Sequence, residues 1–248
     1  MNLNTSSPSL QEKASFLLSV LDLTNLNEED GAHKIEELCH LALSSPVLPK
    51  AICIYPEYLD LAKQKLKSSS IELATVINFP DGGEDDMRVV RETRRALAAG
   101  AQEIDLVLPY RALQKGDKDV ALKVVKACRE VCGKQHLLKL ILETGELKTP
   151  DLIQQACLIG FEGGVDFLKT STGKVKINAT LQAAEVMLDE IKQHNPNCGL
   201  KISGGIRTMD DAFEYVDLAK KKMGETWVAP NHFRIGASQL FFELKKAF

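Results

Sequence analysis

Eight short apolar runs alternate along the chain with longer stretches in which apolar residues recur at helical spacing. The runs occupy residues 20–23, 51–55, 71–78, 103–108, 137–142, 165–169, 200–202 and 233–235. Their length and their apolar content predict strands. Between them, residues 27–43 carry Ile35, Leu38, Cys39 and Ala42, and residues 85–99 carry Val89, Val90, Thr93 and Leu97. Residues 117–132 carry Val120, Leu122, Val125 and Cys128, and residues 150–159, 178–194 and 209–221 behave the same way. These predict amphipathic helices, and one more is predicted ahead of the first strand, from Ser9 to about Leu18. Asp30, Asp117 and Asp210 lie near helix starts, where a carboxylate can cap free N–H groups.

Strands that alternate with helices imply parallel pairing through crossover helices. Eight such units in 248 residues fit an α/β fold of the (β/α)₈ TIM-barrel class, with an extra N-terminal helix. An open doubly wound sheet is the alternative. No linker rich in Pro, Gly or Ser divides the chain, and no short repeat or low-complexity segment interrupts it, so residues 1–248 are expected to form a single domain.

Side chains alternate across a strand, so parity sorts them between faces. In the fourth run Ile104, Leu106 and Leu108 share one face, and Glu103, Asp105 and Val107 share the other. In the fifth, Leu138, Leu140 and Leu142 oppose Lys139, Ile141 and Glu143. The leucine-rich faces suit outer helices, which turns Asp105, Lys139 and Glu143 inward. Lys169 ends the sixth run, Lys201 follows Leu200 in the seventh, and Asp22 is expected to end the first strand. Such strand ends are where barrel enzymes place catalytic groups. An internal ion-pair cluster would account for the same charges, yet such clusters often stabilise no better than apolar packing.

Lys169 and Lys201 fall on neighbouring strands, whose backbones run about 4.8 Å apart. Burial and a like charge both disfavour an ammonium, so one amine can be neutral near pH 7 and attack a carbonyl. Glycine-bearing turns follow three strands: Thr172-Gly173-Lys174, Ser203-Gly204-Gly205-Ile206-Arg207 and Gly236-Ala237-Ser238. Glycines let backbone N–H groups approach an anion, and loops after strands seven and eight commonly hold phosphate in such barrels. Arg207 could serve that anion or simply start the next helix. Asn78 could line the same pocket, and Cys53 is read as a small buried filler.

The overall composition narrows the partners. A formal net charge of −3 argues against nucleic acid, which wants a basic surface, but leaves room for a small anionic substrate. The first residues have no basic cluster, and the apolar run at 16–23 is broken by Ser19 and Asp22, so neither a signal peptide nor a membrane span is expected. Six cysteines without paired spacing suggest a reducing, cytoplasmic setting. Cys128, Cys132 and His136 could in principle meet a zinc ion, but lack the usual paired ligands, and buried thiols are the plainer reading. The five histidines are scattered, which gives no ligand cluster for a metal-dependent reaction.

Several segments together resemble deoxyribose-phosphate aldolase, a class I aldolase family. They are LDLT from Leu21, AICIYP from Ala51, VINFP from Val76, EID from Glu103, LKLILETGEL from Leu138, DFLKTSTGK from Asp166, KISGGIRT from Lys201 and RIGAS from Arg234. They span nearly the whole chain in the family's order. The resemblance implies a lyase that reversibly cleaves 2-deoxy-D-ribose 5-phosphate to D-glyceraldehyde 3-phosphate and acetaldehyde, in deoxyribose phosphate catabolism, with no cofactor. It makes Lys169 the Schiff-base lysine, Lys201 the second lysine that lowers its pKa, and Asp105 the carboxylate that moves protons through water. It places Gly173, Lys174, Gly204, Gly205, Gly236 and Ser238 at phosphate-binding positions. Relatives are often homodimers, which is carried as an expectation. The chain departs from the pattern at Ser203, where alanine is common, at Gln239, where a second serine is frequent, and in ending at Phe248 without a tyrosine-ended tail.

Overall fold

The computed structural model describes residues 8–248. The part of the signal-peptide expectation that rests on residues 1–7 lies outside the described residues. Eight parallel strands close into a barrel in chain order: β1 Leu21–Asn25, β2 Ala51–Ile54, β3 Glu72–Ile77, β4 Glu103–Val107, β5 Leu137–Ile141, β6 Phe167–Lys169, β7 Gly199–Ser203 and β8 Phe233–Ala237. The helices around them are α1 Leu10–Ser19, α2 Ala32–Leu43, α3 Leu59–Leu66, α4 Asp86–Ala98, α5 Tyr110–Gln114, α6 Lys118–Cys132, α7 Thr144–Leu147, α8 Pro150–Glu162, α9 Leu181–His194, α10 Met209–Met223 and α11 Gln239–Lys245. This is the (β/α)₈ TIM barrel that the alternation predicts, with α1 as the extra helix. Among the described residues no helix is long and apolar enough to cross a membrane.

Local chemistry explains most of the boundaries. Ser9 and Glu12 form a reciprocal capping box at α1, which then buries Ala14, Leu17 and Leu18. Asp117 caps α6 by accepting from the Val120 N–H at 3.2 Å, as its position predicts. Asp30 and Asp210 do not cap. Gly31 starts α2 without a side-chain cap, and Asp30 instead accepts from the Asn25 and Asn27 amides at 2.8 and 2.9 Å. At α10 Thr208 is the cap and Asp211 closes the box, because the reciprocal bond needs its carboxylate three residues on. The short helix α3, with Leu59, Ala62 and Leu66 buried, was not legible beside its polar neighbours.

Parity holds through the strands. Ile104, Leu106, Leu138 and Leu140 join the large core between barrel and helices. Inside the barrel, Ala51, Cys53, Ala74 and Val76 make a small apolar patch on β2 and β3, so the remaining strands supply the polar contents. Beyond β5 the rule fails. Glu143 takes a left-handed backbone, φ +58°, and its carboxylate turns to Thr172 rather than into the barrel. Alternation applies only while the chain stays extended.

Gly199 shows how tightly the barrel is filled. A Cβ there would lie 2.3 Å from the Phe167 ring, and that ring carries the Arg234 guanidinium 5.5 Å from its centre. Gly199→Ala is therefore an overpacking change, expected to destabilise by about 1–3 kcal/mol. Urea unfolding of the variant checks it, and an unchanged midpoint would contradict it.

Candidate active site

Seven charged side chains meet inside the barrel, each at most 2% exposed: Asp22, Glu103, Asp105, Lys139, Lys169, Lys201 and Arg234. Asp105 is the hub. Its Oδ1 accepts from Lys139 Nζ at 2.9 Å, and its Oδ2 accepts from both Lys169 and Lys201, each at 2.7 Å. Lys139 also reaches Glu103 at 2.5 Å. Lys201 lies 2.6 Å from Asp22. Arg234 closes the set, donating to Asp22 at 2.7 Å and to Glu103 at 3.1 Å. The register makes Lys169 and Lys201 direct partners across β6 and β7, and their shared acceptor holds the two nitrogens within one cluster.

Three carboxylates thus face four cations, and the pairing is uneven. Burial would push the Asp105 carboxyl up, but the ammoniums of Lys139, Lys169 and Lys201 hold it well below the usual carboxylate range. Asp22 is likewise held low against burial by Lys201, Arg234 and Lys139. Burial opposes the charge on Lys201, yet Asp105 and Asp22 together raise its pKa. Lys139 is raised in the same way by Asp105 and Glu103. Of these three lysines Lys169 alone is lowered: burial pushes it down, Lys201 repels it, and its share of Asp105 does not recover the loss. Like charge and desolvation act together on the one amine with the poorest carboxylate support.

The expected strand-end placement holds only for Lys169. It ends β6, whereas Asp22 is the second residue of β1 and Lys201 is central in β7. The consequence is functional. A cleft of about 620 Å³ opens at the C-terminal ends of the strands, and of the seven charged residues Lys169 alone lines it. Gly173, Lys174, Gly204, Gly205, Gly236 and Ser238 line the same cleft, as does Arg207. Gly173, Gly204 and Gly205 have φ of +85°, +85° and +91°, a region open to glycine and costly for other residues. Gly236 answers a different need, since a Cβ there would stand 3.0 Å from Cε of Lys201.

Other expectations separate from the site. Asn78 does not line the cleft; its carboxamide bonds Gly83 and the Val107 carbonyl, which fixes the turn after β3. Cys53 is an inner-face filler with Sγ 3.9 Å from Asp105. Cys128 sits 3.4 Å from the Thr93 hydroxyl, and His136 turns its Nδ1 to the Cys132 carbonyl, so these are packed thiols. Arg234 was missed as an interior residue. An arginine between Phe233 and Ile235 was the available signal.

A family model described as DeoC/LacD family aldolase matches residues 16–240. The chain belongs to this family. As an aldolase it carries its charged cluster in the expected barrel. Its fold is similar to that of a proposed deoxyribose-phosphate aldolase from Toxoplasma gondii ME49, with TM-score 0.89, 24% identity and 96% of each chain covered. A proposed deoxyribose-phosphate aldolase from Coccidioides immitis matches at TM-score 0.83 and 27% identity, over 98% of this chain and 92% of that one. A deoxyribose phosphate aldolase from Aeropyrum pernix, described as tetrameric, matches at TM-score 0.76 and 21% identity over 98% of each chain.

The aldolase depends on Arg234 for its foundation. Asp22 Oδ1 and Glu103 Oε1 each receive their hydrogen bond from this guanidinium. Arg234→Met would leave both oxygens buried without a donor, so a loss of about 3 kcal/mol is expected. Chemical denaturation measures it, and a variant as stable as the parent would refute the assignment.

Proposed function

We propose that this aldolase reversibly cleaves 2-deoxy-D-ribose 5-phosphate to D-glyceraldehyde 3-phosphate and acetaldehyde through a Schiff base on Lys169. The observation that carries this reading is the placement of Lys169. It is the member of the buried cluster that faces the cleft, and its pKa is lowered by burial and by Lys201. A neutral amine at the floor of a pocket is a nucleophile for a carbonyl. Likeness to the Coccidioides immitis protein supports the choice of sugar.

The chemistry follows from the electron sink. Lys169 adds to the C1 aldehyde of the open-chain sugar, and loss of water from the carbinolamine gives an iminium. The C3 hydroxyl loses its proton, the C2–C3 bond breaks, and its electron pair enters the iminium to give an enamine. Glyceraldehyde 3-phosphate departs. Protonation of the enamine at C2 and hydrolysis release acetaldehyde and restore the amine. In this scheme Asp105, anionic beside both lysines, moves protons through water. Lys201 keeps its own proton and lowers the pKa of its neighbour. No metal or cofactor is needed, because the iminium accepts the electrons.

The phosphate is assigned to the glycine turns. Gly173, Gly204, Gly205 and Gly236 expose backbone to the cleft, with Lys174, Ser238 and Arg207 beside them. The setting we infer is reducing and cytoplasmic, in the catabolism of deoxyribose phosphate. All six cysteines are buried and free, which suits such a compartment.

Acetaldehyde added with borohydride tests the mechanism. Reduction should trap an N-ethyl group on Lys169, mapped by mass spectrometry of peptides. A label on another residue, or none, would overturn it. Release of acetaldehyde from 2-deoxy-D-ribose 5-phosphate tests the substrate separately.

A further inference from the structure

Backbone pairing continues through Thr170, which donates to the Lys201 carbonyl at 3.1 Å, and stops there, yet Thr170, Ser171 and Thr172 are all almost fully buried. The loop after Lys169 is tied by side chains on both sides. Toward β7, the Ser203 N–H donates to Thr170 Oγ1 at 3.0 Å, and the Ser203 hydroxyl donates to the Ser171 carbonyl at 2.5 Å. Toward β5, the Thr170 carbonyl accepts from the Thr144 N–H at 3.0 Å, and Glu143 supplies the side-chain attachment beyond it. Its Oε1 accepts from the Thr172 N–H at 3.2 Å, and its Oε2 accepts from the Thr172 hydroxyl at 2.5 Å. That hydroxyl oxygen in turn accepts from the Lys174 N–H at 3.0 Å. Gly173, at φ +85°, lies between these two anchored residues.

Glu143 is an expensive way to fill this position. It is fully buried, and its backbone sits at φ +58°, ψ +58°, a conformation that costs a residue with a Cβ about 1–2 kcal/mol. Burial pushes its carboxyl up, opposed by the two donors of Thr172 and by Lys169, while Glu146 adds a like charge. Glu143 does not line the cleft, whereas Thr172, Gly173 and Lys174 do. A buried, strained carboxylate with both oxygens committed to one turn is built to hold that turn.

We infer that Glu143 is a positioning residue for phosphate recognition, fixing the Thr172-Gly173-Lys174 turn against the cleft without itself touching the substrate. The inference rests on the proposed phosphate site and adds the residue that shapes it. It separates Glu143 from the lysine chemistry. Loss of its carboxylate should weaken selection for a phosphorylated substrate more than the reactivity of Lys169.

The test compares kcat/KM for 2-deoxy-D-ribose 5-phosphate and for unphosphorylated 2-deoxy-D-ribose in the full-length enzyme. In Glu143→Ala the ratio of the two is expected to fall by at least about 10-fold, the scale of lost charge-assisted hydrogen bonds. Glu143→Gln, which keeps one acceptor, should recover part of that ratio. Thr172→Val, which cuts the link to the Lys174 N–H but keeps its own N–H, should lower it as well and serves if Glu143→Ala does not fold. Calorimetry with inorganic phosphate gives a readout independent of turnover, and binding should weaken in Glu143→Ala and in Thr172→Val. An unchanged ratio, equal losses on the two sugars, or unchanged phosphate binding would overturn the role of Glu143. Failure of the acetaldehyde and borohydride trap in the parent would instead strike at the Schiff-base reading.

Discussion

Lys169→Ala is expected to abolish turnover, by at least about 10⁴-fold, while leaving the barrel folded. The two halves of this expectation have separate causes. The nucleophile is lost outright, and neither Lys201 nor Lys139 lines the cleft to replace it. The fold survives because no carboxylate oxygen is orphaned. Asp105 Oδ1 keeps Lys139, and Oδ2 keeps Lys201. Removing one of four cations leaves three beside three carboxylates, so the variant should be at least as stable as the parent apart from the small cavity. Arg234→Met also equalises the charges, yet it strips two oxygens of their donors, and the contrast tests pairing against simple charge count. Steady-state assays together with thermal unfolding decide it. Residual activity within about 100-fold of the parent would exclude Lys169 as the nucleophile.

Lys201→Met should lower kcat/KM by about 10²–10³-fold near neutral pH and move the acid limb of its pH profile to higher pH. The sign follows from the cluster. Lys201 stays protonated, because Asp105 and Asp22 raise its pKa against burial. Its charge therefore repels the Lys169 ammonium throughout the working range. Without it, Asp105 Oδ2 is left to Lys169 alone, and the Lys169 pKa rises. A smaller fraction of amine is then neutral at pH 7, and more alkaline conditions are needed to free it. A pH series of kcat/KM for parent and variant measures the shift. A limb that stays in place, or moves to lower pH, would refute the two-lysine account.

Much of the barrel was legible in the chain because its signals are local. The Leu138-Leu140-Leu142 alternation assigned the outward face of β5, and the same rule turned Asp105 and Lys139 inward. Helix α6 and its Asp117 cap could be read from spacing. Where the reading failed, the cause was a change of backbone state or of strand length. Glu143 left the extended conformation, so parity no longer governed it. Asp22 was placed at the end of a strand that in fact continues to Asn25, which sets it deeper than expected. Asp30 found nearer partners in Asn25 and Asn27 than the helix it precedes. Arg234 was hidden in a run that otherwise looked like apolar strand.

By itself the sequence determined the strand–helix alternation, the inward faces of β4 and β5, and the presence of more buried charge than stability explains. Those properties depend on neighbours along the chain, within the reach of a strand repeat or a helical turn. Which lysine reacts was decided only by the tertiary structure. Lys139, Lys169 and Lys201 are alike as inward-facing residues on adjacent strands. Closing the barrel gave Lys201 the support of Asp22 and Asp105 and gave Lys139 that of Asp105 and Glu103. It left Lys169 with one shared oxygen and an open cleft above it. A pKa depends on distances between groups far apart in sequence and on solvent access, and neither exists until the strands have closed.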